Sequence, residues 1–209
     1  MSVRIGIVDY GMGNRRSVEK ALEHVGAEAV ISTDPLDLAR ADGLVLPGVG
    51  AFPAAMARLR ELELDEAVRE RAAAGVPLLG ICLGMQLLFD STTELGGADG
   101  LGLLPGEVRT LPAGGERLPH IGWNLVTWRR ASALTAGLPD ACAFYHVHTY
   151  AAAPADPADV LGEGDYGGPF VSAVAREPVF GVQFHPEKSS VHGLALLENF
   201  TAICARVAA

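Results

Sequence analysis

The chain has 209 residues, of which 49% are hydrophobic, so it is long enough to bury the core of one α/β domain. Its formal net charge is −9 at pH 7, and its longest basic run is the pair Arg129-Arg130. This balance argues against nucleic acid and anionic membrane surfaces as partners.

The cysteines and the N-terminal residues indicate in which cellular compartment the protein is expected. Cys82, Cys142 and Cys204 are odd in number and widely spaced, which argues against a disulfide framework and for a reducing environment. Residues 1–5 enter an apolar strand without the basic, apolar and cleavage regions of a signal peptide. The uncharged run 72–89 approaches the length of a membrane span, but its proline and glycines break a continuous helix. We therefore expect a cytoplasmic protein.

The first part of the chain alternates strands with helices. Strands are predicted at 3–8, 29–32 and 43–46, followed by an apolar strand that begins at 76. The intervening helices are a first helix with Val18, Ala21, Leu22 and Val25 on one face, a brief one opened by Asp34-Pro35, and a long one over 53–74 interrupted near Glu63. This alternation predicts a parallel sheet covered on both faces.

The second part has a different texture. Residues 91–106 are glycine-rich and are predicted to form a loop, and strands are predicted at 107–111, 120–128, 143–150, 170–175 and 179–184. A closing helix presents Leu194, Leu197, Phe200 and Thr201 on one face. We expect one domain over residues 1–209, with a mostly parallel central sheet flanked by helices and an antiparallel extension.

Cys82 lies at the centre of the apolar run 76–89, which reads as a strand, a sharp turn and a helix. Gly80 and Gly84 flank the cysteine at minus two and plus two, the spacing of a nucleophile elbow. Such a turn lifts the sulfur clear of the sheet and points it at the first turn of a helix, which favours the thiolate. The alternative is a buried core cysteine, which is common.

A base for this cysteine is found in the segment 181–187. His185 and Glu187 are two residues apart, so that in an extended segment the carboxylate can turn back onto the imidazole. With Cys82 they form a Cys-His-Glu set suited to acyl transfer. A His beside a Glu is also a common surface pair.

Acyl transfer requires donors for the oxyanion. The backbone N–H of Leu83, next after the cysteine, is one candidate. The loop Pro-Gly-Val-Gly at 47–50 lies at the carboxyl end of a neighbouring predicted strand, and its glycines permit close backbone approach to a ligand. The same residues would also make an ordinary strand-to-helix loop.

Three motifs together resemble the class I, or triad, glutamine amidotransferases. They are Pro-Gly-Val-Gly-Ala-Phe at 47–52, Gly-Ile-Cys-Leu-Gly-Met-Gln at 80–86, and Gln-Phe-His-Pro-Glu-Lys-Ser at 183–189. Within that class, the chain is similar nearly end to end to the glutaminase subunits of imidazole glycerol phosphate synthase, including the segments 9–14, 100–103, 120–124 and 147–150. The resemblance implies a flavodoxin-like fold and no cofactor.

The resemblance also implies roles for the motif residues. Cys82 would attack the side-chain amide of L-glutamine, His185 would protonate the departing ammonia, and Glu187 would hold the imidazole in its working tautomer. Water would then hydrolyse the glutamyl thioester. Val49, Gly50 and Leu83 match oxyanion positions, and a peptide near Val49-Gly50 would turn to complete the hole when a partner binds. Gln86, Glu94, Thr149 and Tyr150 match the glutamine pocket, although threonine replaces the family's usual serine at 149.

In this family the ammonia passes through a TIM-barrel cyclase subunit, which makes imidazole glycerol phosphate and an aminoimidazole carboxamide ribotide. The resemblance puts Asn14, Trp123 and Lys188 on the face that docks this partner. An exposed tryptophan is a plausible interface anchor, but a core position is equally ordinary for tryptophan.

Other interpretations have weaker support. Gly11-x-Gly13 follows a strand, but the third glycine of a dinucleotide fingerprint would fall at Arg16. His146-x-His148 could present two metal ligands on one face of a strand, but no further ligand cluster lies nearby in sequence, so we expect no metal site. Two functional alternatives remain: the glutaminase of another barrel-docking enzyme, such as pyridoxal phosphate synthase, and a binding module in which Cys82 is dispensable.

Overall fold

A computed structural model describes residues 2–207 of the chain. Within this range the helices are α1 (Arg15–His24), α2 (Pro35–Ala39), α3 (Phe52–Glu61), α4 (Leu64–Ala73), α5 (Leu83–Leu87) and α6 (Ser190–Val207). The strands are β1 (Arg4–Val8), β2 (Glu28–Ser32), β3 (Gly43–Gly48), β4 (Leu78–Cys82), β5 (Phe89–Thr92), β6 (Ala98–Asp99), β7 (Leu104–Thr110), β8 (His120–Trp128), β9 (Ala141–His148), β10 (Tyr150–Pro154), β11 (Val160–Asp165), β12 (Pro169–Arg176) and β13 (Val179–Val182). No helix in this range is both long enough and apolar enough to cross a bilayer.

The parallel part of the sheet has the order β2-β1-β3-β4-β13, as in flavodoxin-like folds. Successive strand residues bury on opposite faces, which explains the continuous apolar runs. Ile5, Ile7 and Val45 pack with helices α1 and α6 on one face. Val8 and Leu44 pack with helices α2, α3 and α4 on the other. The predicted doubly covered α/β sheet is therefore confirmed.

An antiparallel extension continues from the parallel strands. Strand β12 pairs with β13, and β10 pairs with β12 and β7, all antiparallel. At the edge, β5 pairs with β7 in parallel and with β6 antiparallel. A branch formed by β11, β8 and β9 leaves the main path at β12. The interruption of the long helix near Glu63 is confirmed as well, since this residue has a left-handed backbone (φ 56°) between α3 and α4.

The extension differs from its prediction in several places. The segment 91–106 is not only loop, because β5 and β6 lie within or overlap it and β7 begins at Leu104. Tertiary packing decides these short strands: a Cβ at Gly100 would overlap the carbonyl oxygen of Phe89, so only glycine lets the chain pack there. Strand β11 was also missed, since Gly162 and Gly164 interrupt its pattern to accommodate the rings of Trp128 and Phe170.

The predicted strand 143–150 is two strands that part at Thr149. Strand β9 pairs with β8, whereas β10 pairs with β7 and β12, so the chain changes neighbours at this residue. The corner brings residues 147–150 to the carboxyl edge of the parallel sheet. The loops after β1, β3, β4 and β13 meet at that same edge, where ligands bind in open α/β sheets.

Candidate active site

The turn at Cys82 is packed so tightly that both flanking positions, Gly80 and Gly84, require glycine. Cys82 ends β4 and precedes α5 with a positive φ of 56°, which is rare outside glycine and strained for a cysteine. A Cβ at Gly84 would overlap the carbonyl oxygen of Leu46, and one at Gly80 would press on the backbone of Gly84. The sulfur lies 3.7 Å from the Val147 carbonyl oxygen. The elbow geometry expected from the spacing is therefore present.

His185 and Glu187 are in direct contact. The imidazole Nδ1 lies 2.8 Å from Glu187 Oε1, and the glutamate side chain is fully buried. The contact is made by a 3-10 turn over Pro186–Lys188 rather than by the extended segment that the spacing predicted. The turn is held by the backbone N–H of His185 on the Tyr145 carbonyl and by the Ser189 hydroxyl on the His185 carbonyl.

The charge state of His185 follows from opposing influences. Burial alone lowers the pKa of the imidazole, but hydrogen bonding and charge from Cys82 and Glu187 outweigh it and raise the pKa from 6.5 to about 9. The ring is therefore protonated at neutral pH, beside the sulfur and ready to donate a proton.

A cavity of about 290 Å³ opens in front of the sulfur. It is lined by Val49, Gly50, Cys82, Leu83, Gln86, Glu94, Pro119, Val147, His148, Thr149, Tyr150, His185 and Lys188. The structure thus brings together every residue that the sequence put forward for the oxyanion and the glutamine pocket. Glu187 lies behind His185 rather than on the cavity wall.

An amide network beneath the sulfur was not predicted. Gln86 Nε2 donates to the Tyr150 carbonyl and to Gln183 Oε1, both at 3.0 Å. Gln183 is fully buried, and its Nε2 lies 3.8 Å from the sulfur of Cys82. A polar amide at the end of an otherwise apolar buried strand was the signal that could have identified Gln183.

The loop 47–50 is fastened at both ends. The buried hydroxyl of Tyr10 donates to the Pro47 carbonyl at 2.8 Å, and burial, with charge on Cys82, raises the tyrosine pKa. A Cβ at Gly48 would overlap that hydroxyl. Beyond Gly50, which has φ 104°, the Phe52 N–H donates to Glu94 Oε2 at 2.8 Å. Tyr10 is another residue that sequence reasoning missed.

Comparison with known proteins identifies the family to which a chain with this site geometry belongs. The family Glutamine amidotransferase class-I matches residues 6–204, almost the whole chain. The chain belongs to the class I glutamine amidotransferases.

Individual relatives indicate a more specific similarity within this family. Proteins named imidazole glycerol phosphate synthase subunit HisH are 52% identical in Moorella thermoacetica, over 94% of this chain and 93% of that protein. The corresponding protein of Symbiobacterium thermophilum is 54% identical, over 94% and 92% of the two chains. Solved structures agree on the fold: PurLQS from Thermotoga maritima matches with TM-score 0.76 at 21% identity over the full length of both chains. A putative GMP synthase subunit from Thermoplasma acidophilum matches with TM-score 0.74 at 21% identity, over 99% and 96%.

A histidine cluster of this amidotransferase adjoins the cavity, and one member, His148, lines it. His120 Nδ1 and His148 Nε2 are 3.0 Å apart, because strands β8 and β9 pair these two residues directly. His146 is fully buried between Ser172 Oγ at 2.8 Å and the Phe144 carbonyl at 3.0 Å. Burial lowers the pKa of His146 to about 3 and that of His148 to about 4. Within residues 2–207 no group of side chains has the arrangement of a metal site.

The three residues expected on the partner face differ in position. Trp123 is 56% exposed, between Ile121 and Leu125, which are exposed on the same face of β8. Lys188 is at the cavity. Asn14 instead turns its amide inward, where Nδ2 lies 3.3 Å from Glu187 Oε1 and Oδ1 accepts from Ser17.

Proposed function

We propose that this chain is the glutaminase subunit of an imidazole glycerol phosphate synthase and that it hydrolyses L-glutamine to glutamate and ammonia. The single observation that carries the proposal is Cys82, held at a strained elbow in a cavity with His185, whose imidazole rests on buried Glu187. Relatives named as HisH at about half identity support the choice of pathway, histidine biosynthesis.

The reaction proceeds in two balanced steps. The sulfur of Cys82 attacks the side-chain amide carbon, and protonated His185 gives its proton to the departing nitrogen, so that ammonia leaves and a glutamyl thioester forms. A water molecule then adds to the thioester carbon while His185 takes its proton. The carbon–sulfur bond breaks, which releases glutamate and restores the cysteine. Glu187 orients the imidazole and stabilises its charge throughout.

The remaining cavity residues bind and stabilise. The N–H of Leu83 and the Val49-Gly50 peptide stabilise the oxyanion of each tetrahedral intermediate. Glu94 receives the ammonium group of the glutamine. Gln86, Thr149 and Tyr150 complete the pocket, where the Gln86 amide holds the Tyr150 carbonyl in place.

Ammonia must be passed on before water protonates it, so the proposal includes a TIM-barrel cyclase docked over the cavity mouth. The exposed apolar face of β8, formed by Ile121, Trp123 and Leu125, supports this docking. Trp123 anchors the partner and Lys188 lies at the rim of the cavity. The proposal also assigns Asn14, which contacts Glu187, to the docking face.

The test is glutamate release from glutamine by the chain alone and with a matching cyclase plus its ribotide ligand, with Cys82→Ala as the control. The proposal expects release that rises steeply with the cyclase and disappears in the variant. Release without any response to the cyclase, but with a response to a pyridoxal phosphate synthase barrel, would move the chain to that pathway. Undiminished glutamate release in Cys82→Ala would exclude Cys82 as the nucleophile.

A further inference from the structure

We infer that Glu94 is a positioning residue that couples recognition of the substrate's ammonium group to the oxyanion loop, by capping helix α3 from outside the helix. This inference rests on the proposed function for the identity of the ligand. Its structural part, the cap, stands on contacts between described residues.

The N-terminus of α3 requires an external acceptor. Its N-cap residue is Ala51, whose side chain has no acceptor, and Pro53 in the first turn has no N–H. The Phe52 N–H donates instead to Glu94 Oε2 at 2.8 Å, across 42 residues of sequence. A carboxylate at this point also interacts favourably with the helix dipole. Glu94 therefore performs the task that a serine or aspartate at the N-cap would normally perform.

The capped residue is directly linked to the oxyanion loop. Phe52 follows Gly50 by two residues, and its ring is fully buried, close to Gly100. Tyr10 fixes the other end of the loop through the Pro47 carbonyl. The Val49-Gly50 peptide therefore spans two fixed points, and one of these points is the carboxylate of Glu94.

Glu94 is itself held on a tight turn. Its backbone N–H donates to the buried Thr92 hydroxyl at 3.1 Å, and the Gly97 N–H donates to its carbonyl at 2.9 Å. Leu95 takes a left-handed backbone (φ 47°), which keeps the turn compact. The carboxylate thus reaches both the cavity and the helix from a fixed base. An ammonium group that binds this carboxylate therefore changes the conformational equilibrium of the oxyanion loop. Because such coupling is reciprocal, the conformation of the loop changes the affinity for the ligand by the same factor.

Two substitutions separate the charge from the cap. Glu94→Gln keeps an oxygen that can accept from the Phe52 N–H but removes the charge, whereas Glu94→Ala removes both. We expect KM for glutamine to rise in both variants, measured with the cyclase present. We expect kcat to fall roughly tenfold further in Glu94→Ala than in Glu94→Gln, the factor that loss of one helix cap supplies.

Amide hydrogen exchange in the free chain tests the cap without reference to activity. We expect exchange at Phe52 to accelerate roughly tenfold in Glu94→Ala and much less in Glu94→Gln, because this buried N–H is the one that donates to Glu94 Oε2. Asp34→Ala is the matched control, because Asp34 caps α2 through the Leu36 N–H at 2.9 Å and does not line the cavity. It should accelerate exchange at Leu36 and leave exchange at Phe52 and glutamine turnover unchanged.

The outcomes distinguish the inference from the function on which it rests. Equal exchange at Phe52 in the wild type and Glu94→Ala would overturn the coupling even if the enzyme hydrolyses glutamine. Equal loss of kcat in the alanine and glutamine variants would also overturn it. If the chain has no glutaminase activity but still shows the exchange pattern, the cap is supported and the proposed substrate is wrong.

Discussion

His185 holds a positive charge in a buried position because two neighbours compensate for the loss of water. Since its pKa in the fold lies above the ordinary 6.5, this contribution to stability is complete below pH 6.5. It is lost as the pH rises through about 9. The same charge equips the ring to protonate ammonia as it leaves, so stability and the proposed catalytic role depend on one titration.

Glu187→Gln tests this balance. The amide keeps the shape and an acceptor for the imidazole but removes the charge, so burial gains weight and the pKa of His185 should fall by roughly one to two units. The measurement is NMR titration of the imidazole resonances, with Cys82→Ser as the second variant, in which we also expect a lower pKa. An unchanged pKa in Glu187→Gln would mean that the carboxylate does not stabilise the imidazolium.

His146 has the opposite dependence on pH. Its folded pKa of about 3 keeps it neutral, whereas the unfolded chain takes up a proton near pH 6.5, so stability is lost as the pH falls below 6.5. His146→Phe should remove about 2 kcal/mol of the difference in unfolding free energy between about pH 7.5 and about pH 5. The comparison is by urea denaturation at both pH values, since loss of the Ser172 contact lowers stability equally at each.

The exposed His24 provides the control for this experiment. His24→Gln should leave the pH difference as it is in the wild type, because His24 is not buried. If His146→Phe behaves like His24→Gln, then His146 is protonated in the folded protein and the buried cluster is not neutral.

At the scale of elements, the elbow between β4 and α5 depends on glycine for space rather than only for backbone freedom. Gly84→Ala places a methyl group against the Leu46 carbonyl of the neighbouring strand, and neither backbone can yield without moving the sheet. We expect a loss of about 3 kcal/mol or more in unfolding free energy, measured by urea denaturation, together with loss of glutaminase activity.

Gly26→Ala is the matched control for the elbow. Gly26 also has a positive φ of 90°, but a Cβ there meets no atom within 4 Å. Backbone strain alone should cost about 1 kcal/mol and leave glutamine turnover intact. Similar losses in the two variants would refute the crowding argument.

The elements that sequence patterns predicted are those with a clear local pattern of apolar and turn residues. The strand-helix alternation up to Phe89 and the elbow at Cys82 follow from local spacing and were confirmed. The break at Thr149 could not be predicted, because it depends on β9 and β10 choosing partners far away in sequence. The contact of His120 with His148 likewise depends on strand register, and a slip of one residue would turn one ring to the opposite face.

At the scale of the whole molecule, the parallel sheet brings four separate loops to one edge, and the antiparallel extension supplies the opposite wall. The candidate site residues could be named from sequence motifs, but the contacts that each of them makes could not be predicted. Asn14 was expected to face a partner, and its amide also contacts Glu187. Glu94 was expected to meet the substrate, and its carboxylate also caps a helix.

The exposed face of β8 leads to a prediction about assembly. Trp123→Ala should weaken binding of the cyclase by about 2 kcal/mol, or roughly thirtyfold in Kd, because an exposed aromatic anchor is buried on docking. Isothermal titration calorimetry would measure the change. Leu36→Ala is the control, since Leu36 is 69% exposed on α2 and does not line the cavity. Equal affinities for the two variants would exclude Trp123 from the interface.

The proposed function requires Cys82 to form a covalent glutamyl thioester. The most direct measurement is mass spectrometry of the chain after acid quenching during turnover of glutamine with the cyclase, followed by peptide mapping. We expect a mass increase of one glutamyl group on the peptide that contains Cys82, and its absence in Cys82→Ala. Steady glutamate release with no adduct at Cys82, or with an adduct at another residue, would contradict it.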